Sequence, residues 1–320
     1  MLSRAPGPSV AQSPVPMPGQ ADVLVARRTL PGRYNPGDGM GESGYGAELK
    51  VAVRAARRAA AAILERRTNP AVSIKPDGSP VTSADVAADA AIRATVREAF
   101  PGDAILSEEG VDDETRLSND RCWIVDPLDG TSQFVAGLDD FDTFVAFTLG
   151  GNPVVAVALQ PVTGLLLGAV AGRGAWTQVG EGARRRLTVA ARTPCRLATK
   201  AWLGAPGNLT ALEAVTAALD GRLLQPVFSL CPRCFLPPDP PIDAMIGLWT
   251  DAALGAWEWD IAPADLIVRE AGGAATDLAG APLRYNRAVP RFDAGLIVAT
   301  DPGLHRSLLA ALRPASPSAR

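Results

Sequence analysis

The residues best suited to chemistry in this chain are carboxylates placed at the ends of local elements. Trp123-Ile124-Val125 reads as the end of a buried strand and runs into Asp126-Pro127-Leu128-Asp129-Gly130-Thr131. Two carboxylates three residues apart, a proline that fixes φ and a glycine that permits a tight turn make a rigid acidic corner. Carboxylates plus a turn carbonyl suit a hard cation such as Mg²⁺, which prefers oxygen and shares its ligands with phosphate. A surface Asp-Gly turn after a strand is the alternative that this motif alone leaves open.

Other acids stand at similar boundaries. Ala104-Ile105-Leu106 reads as a short strand delivering Ser107-Glu108-Glu109-Gly110. Neighbouring strands bring their ends together, so Glu108 and Asp126 are expected to meet. Thr82-Ser83-Ala84-Asp85 can cap a helix over about 85–99, and capping alone would account for Asp85. Asp260, in Trp257-Glu258-Trp259-Asp260, opens a helix running to about Ala271. It reads either as an N-cap or as a carboxylate set where a helix N-terminus favours anions.

The elements that must position these acids follow from pattern. A Pro/Gly/Ser-rich tail without periodicity covers residues 1–45 and reads as disordered, with Met40 as a second candidate start. An amphipathic helix follows over 47–67. Phe144–Leu149 and Val154–Leu159, joined by Gly150-Gly151-Asn152-Pro153, predict a hairpin that continues as an antiparallel meander to Trp176. The expected organisation is a metal-binding α+β domain over 46–186, an α/β domain over 187–313 that completes the site, and a frayed tail at 314–320.

Composition excludes several classes. The 320 residues carry a net charge of −3, so no broad basic field invites a nucleic acid polymer or a membrane surface. With one histidine, His305, neither a His-based zinc site nor a Ser-His-Asp triad is available. Four cysteines and no apolar leader point to a reduced, cytoplasmic protein.

Taken together, V-T-S-A-D at 81–85, L-S-E-E-G at 106–110, W-I-V-D-P-L-D-G-T at 123–131 and W-D-I-A at 259–262 resemble the Mg²⁺-dependent phosphatases of the inositol monophosphatase superfamily. The resemblance runs over roughly 47–312. P-G-D-A-I-L-S-E-E-G-V-D-D at 101–113, W-E-W-D at 257–260 and P-L-R-Y-N at 282–286 look most like its 3′(2′),5′-bisphosphate nucleotidase branch, with inositol and sugar phosphatases sharing the core motifs. The resemblance implies an α/β (α+β) fold, the layered α-β-α-β-α sandwich of the inositol monophosphatase/fructose-1,6-bisphosphatase type. It implies two catalytic Mg²⁺ ions on Glu108, Asp126, the Leu128 carbonyl, Asp129 and Asp260, and a weaker third near Asp85. It implies that Thr131, paired with Glu108, activates the attacking water, with Asp129 in the catalytic group, and that Gly130, Thr131, Ser132 and Asp260 contact the substrate. It implies a small phosphorylated substrate and leaves a homodimer open.

One stretch departs from that pattern. Where relatives carry a G-S-x-A-like turn and a helix, this chain has Phe228-Ser229-Leu230-Cys231-Pro232-Arg233-Cys234-Phe235-Leu236-Pro237-Pro238-Asp239-Pro240-Pro241. These prolines cannot support an ordinary helix interior. A metal or redox Cys-x-x-C, a genuine loop with altered substrate recognition, and a local reading-frame error all remain open. The disruption also motivates a reading of another class, a catalytically weak protein that binds metal and phosphate.

Overall fold

The computed structural model describes residues 44–112, 114–190, 192–199, 206–224, 231–235, 242–248 and 255–312. Residues 1–43 of the expected N-terminal tail and all of the expected C-terminal tail lie outside these residues. So do Gln225-Pro226-Val227-Phe228 and most of the proline-rich stretch.

Two helices open the described chain. The alanine-rich α1 (Gly46–Glu65) is followed by a short hairpin of β1 (Val72–Ile74) and β2 (Pro80–Thr82), then by α2 (Ser83–Ala99). Helix α2 begins two residues earlier than the sequence pattern suggests. Thr82 is its N-cap, and Asp85 is the acidic partner of a capping box, accepting a bond from the Thr82 N–H.

A seven-stranded sheet comes next. It is built from β3 (Ala104–Ser107), β4 (Arg121–Asp129), β5 (Asp142–Leu149), β6 (Asn152–Gln160), β7 (Leu165–Val170), β8 (Gly174–Val179) and β9 (Arg185–Leu187), in that spatial order. Only β3 and β4 are parallel; the rest form the expected meander. Gly150 and Gly151 turn the β5–β6 hairpin with φ of 53° and 72°, the sense that matches strand twist. The five-residue helix α3 (Thr131–Val135) lies between β4 and β5.

The second sheet has the order β11-β10-β12-β16-β14: β10 (Arg196–Ala198), β11 (Arg222–Leu223), β12 (Ala244–Gly247), β14 (Ala274–Asp277) and β16 (Leu296–Ala299). Its helices are α4 (Pro206–Ala218), α5 (Glu258–Glu270) and α6 (Pro302–Leu312). A two-stranded ribbon joins β13 (Ala256–Trp257) to β15 (Arg291–Phe292).

Period-2 alternation sorts these pieces into layers. On β4 and β5, Trp123, Val125, Val145 and Phe147 face α1 and α2, in one core with Ala52, Ala59, Ile63 and Ile92. Cys122, Ile124, Phe144 and Ala146 face the other way, onto Ile261, Leu266 and Ile267 of α5. That core continues into Met245, Ala275 and Val298 of the second sheet. The far side of the second sheet, Leu197, Ala244 and Ile297, packs with Leu212 of α4 and Leu308 of α6. The stacking is α-β-α-β-α, as the resemblance implies. Helix α5 is covered on both faces, which is why its buried stretch from Glu258 to Val268 is nearly continuous. Among the described residues no helix is long and apolar enough to cross a membrane.

Candidate metal centre

The acidic corner forms where β4 runs out. Pairing with β5 is regular through Asp126, breaks, and resumes at Asp129 opposite Asp142. The irregularity turns two successive carboxylates into the same space. The Asp126 carboxylate is held from behind by the Leu128 N–H, 3.1 Å away. Gly130 then takes a φ of 92°, and a Cβ there would sit 2.9 Å from the Asp140 carbonyl oxygen. The corner therefore needs glycine on two counts, backbone sign and space.

Asp260 arrives from the first turn of α5 in the middle layer. Ligand oxygens of Asp126, Asp129 and Asp260 all lie within 4.8 Å of one another, and all three residues are buried. Glu108 follows β3, the parallel neighbour of β4; its N–H donates to the Val125 carbonyl at 3.3 Å, and its carboxyl adjoins that of Asp126. The expected meeting of those two strand ends is thus present.

The electrostatics are those of a site short of positive charge. Burial, followed by repulsion from Glu108, Asp129 and Asp260, holds the Asp126 carboxyl well above the usual carboxylate range. Glu108 is also raised, mainly by burial, against the pull of Lys75. Both carboxyls are thus held above the ordinary range, and the pair retains a proton more readily than isolated carboxylates would. An all-oxygen donor set with a proton where charge is wanted fits a hard divalent cation, which would displace that proton.

Thr131 differs from its expected partnership. Its hydroxyl lies 2.8 Å from Asp85 Oδ1 and 3.1 Å from the Leu128 carbonyl, so its carboxylate partner is Asp85 rather than Glu108. The physical reason is the capping box. Asp85 Oδ2 accepts from the Thr82 N–H at 2.8 Å and the Thr82 hydroxyl at 2.5 Å, which aims Oδ1 at Thr131. Asp85 consequently lies behind Thr131 and outside the Asp126–Asp129–Asp260 group. The Leu128 carbonyl keeps a second lone pair besides the one facing Thr131. The first-turn N–H groups of α3, those of Thr131 and Ser132, have no acceptor within the helix.

Two further groups escaped sequence reasoning. Lys75, in the turn between β1 and β2, reaches Glu108 at 2.8 Å and Glu109 at 2.7 Å. Burial works against its charge, but the two glutamates overcome this and raise its pKa. Glu109 itself is pushed up to about 7, first by burial. Arg233, from the proline-rich stretch, binds Asp142 at 2.9–3.0 Å and also contacts Asp140, beside the corner. A lysine in a Pro-Asp-Gly turn and an arginine between two cysteines carry no spacing signal that would have found them.

Among the described residues the Cys-x-x-C joins no cluster of metal ligands, and burial works against a reactive thiolate. Pro232–Phe235 forms a short 3-10 turn, with Pro232 in first position, where its missing N–H costs little. Cys231 and Cys234 are buried thiols, raised by burial, Cys234 to about 12. Tyr285, in the 282–286 piece, belongs to the core around α5. It is buried, donates to Asp265 at 3.1 Å and meets Phe292 edge-on.

The Inositol monophosphatase family profile matches residues 47–208 and 242–316, leaving the divergent stretch unmatched. A Streptomyces griseus protein named glucose-1-phosphate thymidylyltransferase is 35% identical over 230 residues, 66% of this chain and 78% of that one. A Mycobacterium tuberculosis histidinol-phosphatase is 31% identical over 248 residues, 75% of this chain and 87% of its own. The crystal structure of the extragenic suppressor protein suhB from Bartonella henselae covers 84% of this chain and 100% of its own, with a TM-score of 0.66 and 27% identity. The carboxylate centre and these matches agree, and the chain belongs to the inositol monophosphatase family, as a metal-dependent phosphatase.

Proposed function

We propose that the chain is a Mg²⁺-dependent phosphomonoesterase whose substrate is adenosine 3′,5′-bisphosphate, cleaved to AMP and phosphate. The observation that carries the phosphatase chemistry is the convergence of Asp126, Asp129 and Asp260 beside Glu108. The nucleotide rests on the sequence pieces at 101–113, 257–260 and 282–286. A small phosphorylated metabolite is thus the proposed partner, and a homodimer the proposed assembly.

Glu108, Asp126, the Leu128 carbonyl, Asp129 and Asp260 would hold two Mg²⁺ ions. When bound, Mg²⁺ neutralises the phosphate dianion, lowers the pKa of water and stabilises the leaving alkoxide. The protein's own groups supply the proton path. Water hydrogen-bonded to Thr131 Oγ1 gives up a proton as it attacks phosphorus, Thr131 passes its hydroxyl proton to Asp85, and the departing ester oxygen is protonated by solvent. The Thr131 and Ser132 N–H groups face a phosphate in this reading, as helix first turns do.

A second reading is histidinol phosphate, favoured by the histidinol-phosphatase relative. A phosphate-release panel with Mg²⁺ separates the two: adenosine 3′,5′-bisphosphate, histidinol phosphate, inositol 1-phosphate and a sugar bisphosphate. Higher kcat/KM on the nucleotide supports the first reading, and preference for histidinol phosphate replaces it. No turnover of any of them, with Mg²⁺ still bound, overturns both.

A further inference from the structure

Asp260 and Glu108 come from different layers, yet both must reach one ion. A polar chain anchored on the buried Glu258 and Arg116 links the elements that carry them. Glu258, two residues before Asp260, has no exposed surface. Its Oε2 accepts from the Asn286 N–H at 2.7 Å and its Oε1 from the Arg287 N–H at 3.0 Å. Asn286 sits in the left-handed region at φ 57°, which turns both its backbone and its side chain to use. Its Oδ1 accepts from Arg116 Nη1 at 2.9 Å, and its Nδ2 donates to the carbonyls of Arg116 at 2.9 Å and Asn119 at 3.2 Å. Arg116 is itself buried and closes a fork on Asp112, at 2.8–3.1 Å. Residues 112–119 belong to the connection that begins at Glu108 and ends at the start of β4.

We propose that Glu258 and Asn286 are positioning residues: their clasp fixes the first turn of α5 to the β3–β4 connection and so sets Asp260 against Glu108 and Asp126 for metal binding. The inference rests on the metal-dependent reading above. Their polar atoms are taken up within the clasp. Groups behind metal ligands commonly change affinity 10–100-fold when removed. A clasp anchored on the buried Glu258 and Arg116, with its polar groups mutually satisfied, has few alternative arrangements.

The test is Asn286→Gly, which keeps the backbone conformation and the N–H to Glu258 while deleting the carboxamide. Mg²⁺ and Mn²⁺ binding are measured by titration calorimetry without substrate, beside thermal melts in EDTA. The expected result is a Kd for metal weakened about tenfold in a variant that still melts cooperatively. Asn286→Asp keeps the acceptor for Arg116 and should recover part of the affinity. If Asn286→Gly does not fold, Glu258→Gln, which can satisfy only one of the two N–H groups, is read the same way. Unchanged metal affinity in a folded variant, whatever its melting temperature, overturns the positioning role. A wild type that binds no metal overturns the proposed function instead.

Discussion

Asp126→Asn separates the two things the carboxylate centre does. The substitution keeps shape: the amide oxygen can still accept the Leu128 N–H that Asp126 receives at 3.1 Å, and the amide nitrogen can donate to Glu108. It removes one negative charge from a buried group whose ionisation is opposed by burial and by three other carboxylates. The metal-free protein should therefore be no less stable, and its melting temperature in EDTA should be unchanged or higher. The metal-bound state behaves oppositely. A ligand at 100 times its Kd stabilises a fold by about 2.7 kcal/mol. For a chain of this size that is roughly 4–5 °C of melting temperature. Wild type should show that rise on adding Mg²⁺, and Asp126→Asn should lose most of it. Phosphate release should fall by about 10³-fold or more, since a catalytic step that depends on placed charge loses several kcal/mol. Differential scanning fluorimetry with and without Mg²⁺, together with a phosphate assay, reads both effects. A variant that keeps the full Mg²⁺-induced shift, or more than about a tenth of wild-type turnover, would sink the assignment of Asp126 as a metal ligand.

Further outcomes follow from the same geometry. Thr131→Val removes the hydroxyl held by Asp85 and the Leu128 carbonyl; kcat should drop about 10²-fold or more while the Mg²⁺-induced melting shift persists, and loss of that shift would argue for a structural role. Gly130→Ala places a Cβ 2.9 Å from the Asp140 carbonyl at a φ of 92°; melts should show a loss of about 2 kcal/mol or more, and an unaffected melt would contradict the tight corner. Glu258 is raised to about 7 by burial, above its ordinary 4.5. Because the folded state holds this proton more tightly than the unfolded chain, stability falls as pH rises through about 4.5 to 7, by about 3 kcal/mol from this group. EDTA melts across that range should show a downward slope that Glu258→Gln lessens. Metal affinity should rise with pH, since the ion displaces a proton from the Glu108–Asp126 pair, whose carboxyls burial raises; calorimetry giving a pH-independent Kd between pH 5.5 and 8 would contradict that exchange.

The sequence by itself determined the ligand set and most of the layers. Asp126, Asp129 and Gly130 are fixed by local backbone geometry, since a strand end, a proline and a positive-φ glycine dictate a corner whatever surrounds it. The meander from Phe144 to Trp176 was legible because strands buried on both faces and joined by short glycine-containing turns announce themselves over short distances. Tertiary structure decided the partnerships. Thr131 and Asp85 are 46 residues apart, and only the capping box of α2 aims that carboxylate at that hydroxyl. Lys75 reaches Glu108 across 33 residues, and Asn286 reaches Arg116 across 170. Such pairings depend on where layers meet, and a buried polar group takes whichever partner the packed layers bring within about 3 Å. Carboxylates carry their chemistry in their type and local spacing; the groups that hold, neutralise and aim them carry it in their position, which only the folded stack supplies.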